Sequence, residues 1–134
     1  MGEGAAEAAV AAFRRYARTF ETLNPQAVAP FFNQPALLIS PQGIVALPTA
    51  ADVAGFFTPL MDGLRAQAYT TSEFPRLAGH RLGDDLALVS GVGIWKTAAG
   101  AELRRFGLTY TLVRGGGSWK IAVAAVHDPD AALP

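Results

Sequence analysis

The chain has 134 residues, 51% hydrophobic and 16% charged, enough for one domain with a single sizeable core and apolar material to spare. Lys plus Arg and Asp plus Glu are equal at 11 each, so no global field favours nucleic acid or an anionic membrane surface. Cysteine is absent, which excludes disulfides and thiolate metal sites, and His80 and His127 form no ligand spacing, so neither a metal nor a cofactor is expected.

The N-terminal "GEGAAEAAVAAF" has the apolar content of a signal sequence but not its charges. Glu3 and Glu7 stand where a basic region belongs, and Arg14 and Arg15 follow. A cytoplasmic protein is the expectation, with no bilayer-spanning stretch. Residues 4 to 23 read as a helix. Ala6, Ala9, Phe13, Tyr16, Phe20 and Leu23 recur at spacings of three and four. In "LNPQAVAPFF", Asn24 is an N-cap candidate and Pro25 opens a short second helix. "PALLIS" is a strand, and "PQG" turns into another, Ile44 to Leu47. The third helix starts at Thr49, with Asp52 in a capping-box position, and runs to residue 66. Val53, Phe56, Phe57, Leu60 and Leu64 form its apolar face, and Pro59 predicts a kink and an irregular second half.

Beyond Gln67 the turn signals "LGDD", "AAG" and "GGGS" separate long alternating runs, which predicts an antiparallel meander. The whole is a single α+β domain, a strongly curved sheet folded round three helices. In 103 to 113 the face carrying Phe106, Leu108, Tyr110 and Leu112 should meet the helices. In 86 to 96, Leu86, Leu88, Val92 and Ile94 are assigned to that face, which leaves Val89, Gly91, Gly93 and Trp95 outside. Trp119 to Val126 is apolar on both faces. A homodimer through the outer face is therefore expected, involving some of Val89, Trp95, Thr109, Thr111, Ile121 and Val123.

"FRRYARTFETLNPQAVAPFF", "PALLISPQG", the helix from Thr49 and the ending "YTLVRGGGSWKIAV" together resemble the nuclear transport factor 2-like superfamily, particularly its SnoaL-like branch, related to polyketide cyclases and ketosteroid isomerases. The resemblance spans nearly the whole chain. It rests on the order and spacing of loose motifs. It implies a cone-like α+β barrel (a cystatin-like roll) with a pocket between concave sheet and helices, and dimers packed through the outer sheet face. In ketosteroid isomerases the base is an aspartate in an "Asp-Pro-x-Gly" segment, and the matching segment here is Ser40-Pro41-Gln42-Gly43. Serine alone cannot shuttle a proton near neutral pH as a carboxylate in an apolar site can. The resemblance also matches Tyr16 to a pocket tyrosine, and sets Tyr110 near a late-strand oxyanion donor, allowing one residue of slack. Hydrogen-bond donors are kept and the base is dropped.

Tyr16, Tyr110 and His127 are therefore the candidates for proton transfer. Each has a plainer reading: satisfied core tyrosines, and a histidine at the end of a strand. Ser40 has no G-x-S-x-G elbow, so capping a strand end or touching a ligand outweighs a nucleophilic role. His80 beside Arg81 reads as solvated. Gly91 and Gly93 let the strand bend, and the arginine pairs at 14–15 and 104–105 read as solvated or paired with Glu21 and Glu102. The expected wall comprises Phe13, Tyr16, Phe20, Ser40, Phe56, Leu60, Phe106, Leu108 and Tyr110, with no arginine inside. Such a wall suits a small hydrophobic molecule. Three readings stay open: a small-molecule-binding domain without an assigned reaction; an isomerase, cyclase or dehydratase acting on a hydrophobic carbonyl compound; and an interaction module with a filled cone.

Overall fold

The structure, a computed structural model, describes residues 4–134, so Glu3 of the acidic N-terminal stretch lies outside the described residues. Helix α1 is Ala5–Phe20 and buries Ala9, Ala12, Phe13, Tyr16, Ala17 and Phe20 along one stripe. It stops three residues before the predicted end, where the chain turns through Leu23 at φ 53°. The stop is tied down from outside: the Glu21 carboxylate accepts a hydrogen bond from the Ser72 backbone N–H at 2.9 Å and pairs with Arg18 at 3.0 Å.

Helix α2, Pro25–Val28, is capped by the Asn24 side chain, which accepts from the Gln26 N–H at 3.1 Å. A 3₁₀ turn at Ala29–Phe31 leads to strand β1, Phe32–Ser40, and the hairpin partner β2 is Gly43–Leu47. Helix α3 is Ala50–Ala66, opened by a reciprocal capping box between Thr49 and Asp52. The irregular second half predicted from Pro59 does not occur, and the helix is continuous to Ala66. Pro59 and Gly55, the residue four back whose carbonyl loses its donor, are both exposed, so water can satisfy that carbonyl.

Strands β3 (Tyr69–Gly83), β4 (Leu86–Thr97), β5 (Glu102–Gly115) and β6 (Ser118–His127) form the predicted antiparallel meander. The six strands lie in the order β2-β1-β6-β5-β4-β3, and β1 joins β6 in parallel, a pairing the local patterns do not reveal. α1 packs against the sheet, most extensively on β3 and β4, so the core fills the space between them. Among the described residues no helix is long and apolar enough to cross a membrane.

Register corrects the predicted faces of β4. Gly93 pairs with Phe106, Gly91 with Leu108, Val89 with Tyr110 and Ala87 with Leu112. Cross-strand partners share a face, so Ala87, Val89, Gly91, Gly93 and Trp95 point inward, whereas Leu86, Leu88, Val92 and Ile94 point outward. Trp95 stacks on Phe20 at 5.8 Å between ring centroids. Ile121 pairs with inward Leu112, so of the residues expected at an outer interface only Thr109, Thr111 and Val123 lie on the outer face. The inward glycines make room. A Cβ at Gly93 would lie 2.6 Å from the Phe106 ring, and one at Gly91 would collide with the Arg76 carbonyl beside a bulge in β3.

Part of the outer face is covered by the chain itself. Residues 128–134 cross it as a strap. The Leu133 N–H donates to Ser90 Oγ at 2.9 Å, and the Arg76 guanidinium donates to the Leu133 carbonyl at 3.4 Å. Ser90 is fully buried, and its Oγ lies 2.9 Å from Thr109 Oγ1, which lies 2.8 Å from His127 Nε2. His127 Nδ1 is 2.8 Å from the Asp128 carbonyl and so carries a proton; the tautomer with its proton there leaves Nε2 to accept from Thr109. His80, expected in solvent, is half-buried on β3, with its Nε2 buried and unpartnered.

Gly91→Ala should lower stability by about 1–3 kcal/mol, because the new methyl group meets backbone that cannot rotate away. Urea unfolding of the variant beside the wild type measures this.

Candidate functional site

The concave face of the sheet and the inner faces of α1 and α3 enclose a cavity of about 210 Å³. All nine residues expected in its wall border it. Phe13, Tyr16 and Phe20 come from α1, Phe56 and Leu60 from α3, Ser40 from the end of β1, and Phe106, Leu108 and Tyr110 from β5. Residues not foreseen also border it: Phe57, Ser72, Phe74, Trp95 and Arg104. Arg104 is exposed and stands on the border at the mouth, an arginine the expected wall did not include. Extending the alternation of Phe106, Leu108 and Tyr110 back by two residues would have found it.

Aromatic edges and faces build the wall. The Phe13 ring lies 5.2 Å from those of Phe74 and Tyr110, both edge-on, and 5.9 Å from that of Tyr16. The Tyr16 ring in turn meets Phe32 edge-on at 5.6 Å. Such pairs add about 0.5–1.5 kcal/mol each beyond the area they bury, and they hold the rings in fixed orientations. The fixed rings leave a void rather than collapsing into it.

The polar groups are few. Tyr16 and Tyr110 are both buried, with centroids 6.3 Å apart, and their hydroxyls act on one another. Burial raises the pKa of Tyr16 well above the ordinary tyrosine value, and the neighbouring Tyr110 raises it further. Burial pushes Tyr110 up to about 12, while Tyr16 acts in the opposite sense by stabilising its ionised form. Both hydroxyls are protonated at neutral pH and can present O–H groups to a carbonyl, but neither can act as a base there.

Ser40 sits at the rim in a local turn. Its hydroxyl donates to Gln42 Oε1 at 3.0 Å and accepts from the Gln42 N–H at 3.2 Å. No histidine or carboxylate approaches it among the hydrogen bonds of the described residues, so nothing there activates it as a nucleophile. Ser72, at the far wall, shares a 2.7 Å hydrogen bond with the Tyr69 hydroxyl. His127 does not reach the cavity. Its pairing with Gly107 puts it on the outer face, held by Thr109 and Asp128, which removes it as a general base for anything bound inside. No Asp, Glu or His borders the cavity, and among the described residues no group of three His, Cys, Asp or Glu side chains could hold a metal ion.

Comparison with known proteins is consistent with this architecture. No curated protein matches the sequence. An NTF2-like protein with a cystatin-like fold from Novosphingobium aromaticivorans superposes with a TM-score of 0.75 at 13% identity, covering 93% of this chain and 82% of its own. The yeast UBP3-associated protein BRE5 superposes at 0.74 with 16% identity, covering 94% and 97%. Aln2 from a Streptomyces species gives 0.71 at 16%, covering 88% and 86%. At these identities the likeness is one of fold, and so varied a set transfers no activity. The profile of the family described as NTF2-like protein (DUF6841) matches residues 6–129, nearly the whole chain, and the protein belongs to that NTF2-like family.

Proposed function

We propose that this domain binds a small, largely apolar molecule in the cone, with no reaction assigned to it. The carrying observation is the cavity itself: an aromatic wall around about 210 Å³, with a few hydroxyl groups, Gln42 and Arg104, and no carboxylate or imidazole on its border. A dry cavity of about 150 Å³ is enough to take a benzene ring. The space here therefore suits a molecule of one or two rings rather than a four-ring steroid. Apolar area supplies affinity, and the Tyr16 and Tyr110 hydroxyls fix orientation by donating to one oxygen of the guest. The void also weighs against a cone packed solid as a pure interaction module.

The SnoaL-like enzyme reading has one observation in its favour, the coupled Tyr16–Tyr110 pair, which has the chemistry of an oxyanion site. It lacks a base. Ser40 occupies the matching position and makes a turn, and His127 faces away. A cytoplasmic location belongs to the same proposal.

We also propose that two copies pair through the open part of the outer face. Leu37 pairs in register with Val123 and Ile39 with Ala125, while Ile44 lies opposite Ile39. Ile44 is 69% exposed and Leu37 39%, so an apolar patch continues from β6 onto the β1–β2 hairpin, beyond the strap. Val123→Lys should shift the sedimentation mass from dimer to monomer at tens of micromolar, with the melting profile of the monomeric fold retained.

Screening neutral one- and two-ring ketones and phenols by thermal shift tests the binding reading. Stabilisation is expected, and Ser40→Ala should change the affinity by no more than about 1 kcal/mol, the net worth of one hydrogen bond. A turnover that falls by orders of magnitude in Ser40→Ala would overturn it in favour of the enzyme.

Tyr110 also sets a pH dependence. Its folded-state pKa of about 12 exceeds the ordinary 10.0, so the folded state holds the proton that the unfolded chain releases first. The Tyr110 contribution to stability should be level below pH 10 and fall as the pH rises towards 12. Tyr110→Phe should make that fall shallower, as read from urea midpoints at about pH 9 and about pH 11, either side of the ordinary tyrosine value.

A further inference from the structure

We propose that Arg104 makes the site selective for a carboxylate: the guest is a small ring acid whose apolar body enters the cone and whose carboxylate stays at the mouth. This rests on the binding function proposed for the same cavity. Arg104 lies on the concave face of β5, opposite Trp95. Its guanidinium carbon is 5.7 Å from the Trp95 ring centroid and 5.8 Å from that of Phe106, two rings of the cavity wall. Outside the mouth lies a shallower groove floored by Pro59, Leu64 and Leu103. Arg104, Leu60 and Trp95 border both spaces, so the guanidinium stands at their junction.

Its charge has no carboxylate partner. Arg18, Arg65, Arg81, Arg105 and Arg114 each pair with a carboxylate, whereas Arg104, like Arg14 and Arg15, has no ion pair or side-chain hydrogen bond among the described residues, and of these three Arg104 alone borders the cavity. No Asp or Glu borders either space. Contact with two ring faces restrains the guanidinium without neutralising it, and leaves its N–H groups to be satisfied by water or a guest. A planar fork of donors fits a carboxylate through two parallel hydrogen bonds. A single arginine amid apolar walls matches a monoanion. A phosphate dianion would call for more donors than the mouth supplies, and Arg105 is on the opposite face, held by Glu102 at 2.9 Å.

The test compares naphthalene-2-carboxylate with its neutral isostere naphthalene-2-carboxamide by calorimetry on the wild type, Arg104→Gln and Arg104→Lys. The wild type should prefer the acid by about tenfold, since charge-assisted hydrogen bonds are roughly twice as strong as neutral ones. Arg104→Gln should bring the two compounds within about twofold by weakening the acid alone, and Arg104→Lys should retain part of the preference because it keeps charge without the fork. Arg104 is exposed, so the variants should melt with the wild type, which separates lost recognition from lost folding. Equal binding of acid and amide to the wild type, or an unchanged preference in Arg104→Gln, overturns the carboxylate assignment and leaves the apolar-pocket reading standing. Failure of both compounds to bind the wild type overturns both.

Discussion

The packing of the α1 aromatics against the concave sheet is the interaction on which the rest of the structure depends. Phe13, Tyr16 and Phe20 project from one helical stripe, and between them they touch rings on β1, α3, β3, β4 and β5. Aromatic rings meet edge to face at centroid separations of about 5–6 Å, too far apart to fill a narrow cone as branched aliphatic side chains do. The same contacts that dock the helix also keep the cavity open. Stability and capacity for a guest therefore have one physical source.

Curvature is the second requirement, and it comes from residues with little or no side chain. Gly91 and Gly93 lie on the concave face of β4, where the backbone of β3 and the ring of Phe106 come too close for a Cβ. Apart from Val89 and Trp95, the larger apolar residues of that strand, Leu86, Leu88, Val92 and Ile94, lie on the convex side, where an unmatched apolar surface would be a liability. The C-terminal strap meets part of that difficulty by crossing the face and tying Leu133 to buried Ser90. The Ser90–Thr109–His127 chain beneath it satisfies polar groups that the strap shuts away from water. What stays open is the apolar patch running onto the β1–β2 hairpin, and that division gives the outer face a covered half and a half free to pair.

Charge is distributed just as unevenly. Most ionised side chains are at the surface, and six arginine or lysine side chains are paired with nearby carboxylates in exposed bridges that contribute little to stability. The cone interior presents hydroxyls whose pKa values burial has raised, so it donates hydrogen bonds at neutral pH but does not take up protons. Arg104 stands at the boundary, and it brings a positive charge with no ion pair among the described residues to the mouth of an apolar space.

The sequence by itself determined the helices, the caps at Asn24 and Thr49, the turns between the long strands and the aromatic stripe of α1. These follow from spacing, capping chemistry and glycine placement within a few residues. They were enough to place Phe13, Tyr16, Phe20, Phe106, Leu108 and Tyr110 around one space. Tertiary structure decided the phase of β4. Both faces of that strand are apolar, so alternation could not choose between them, and the bulkier set was the natural but mistaken choice for the inside. Register against β5 settles the matter by putting Gly93 beside Phe106, which turns Trp95 inward. The parallel join of β1 to β6, the strap that holds His127 on the outer face, and the position of Arg104 between two spaces all depend on contacts between residues distant in the chain. No local pattern encodes them, because each exists only once the sheet has closed round the helix.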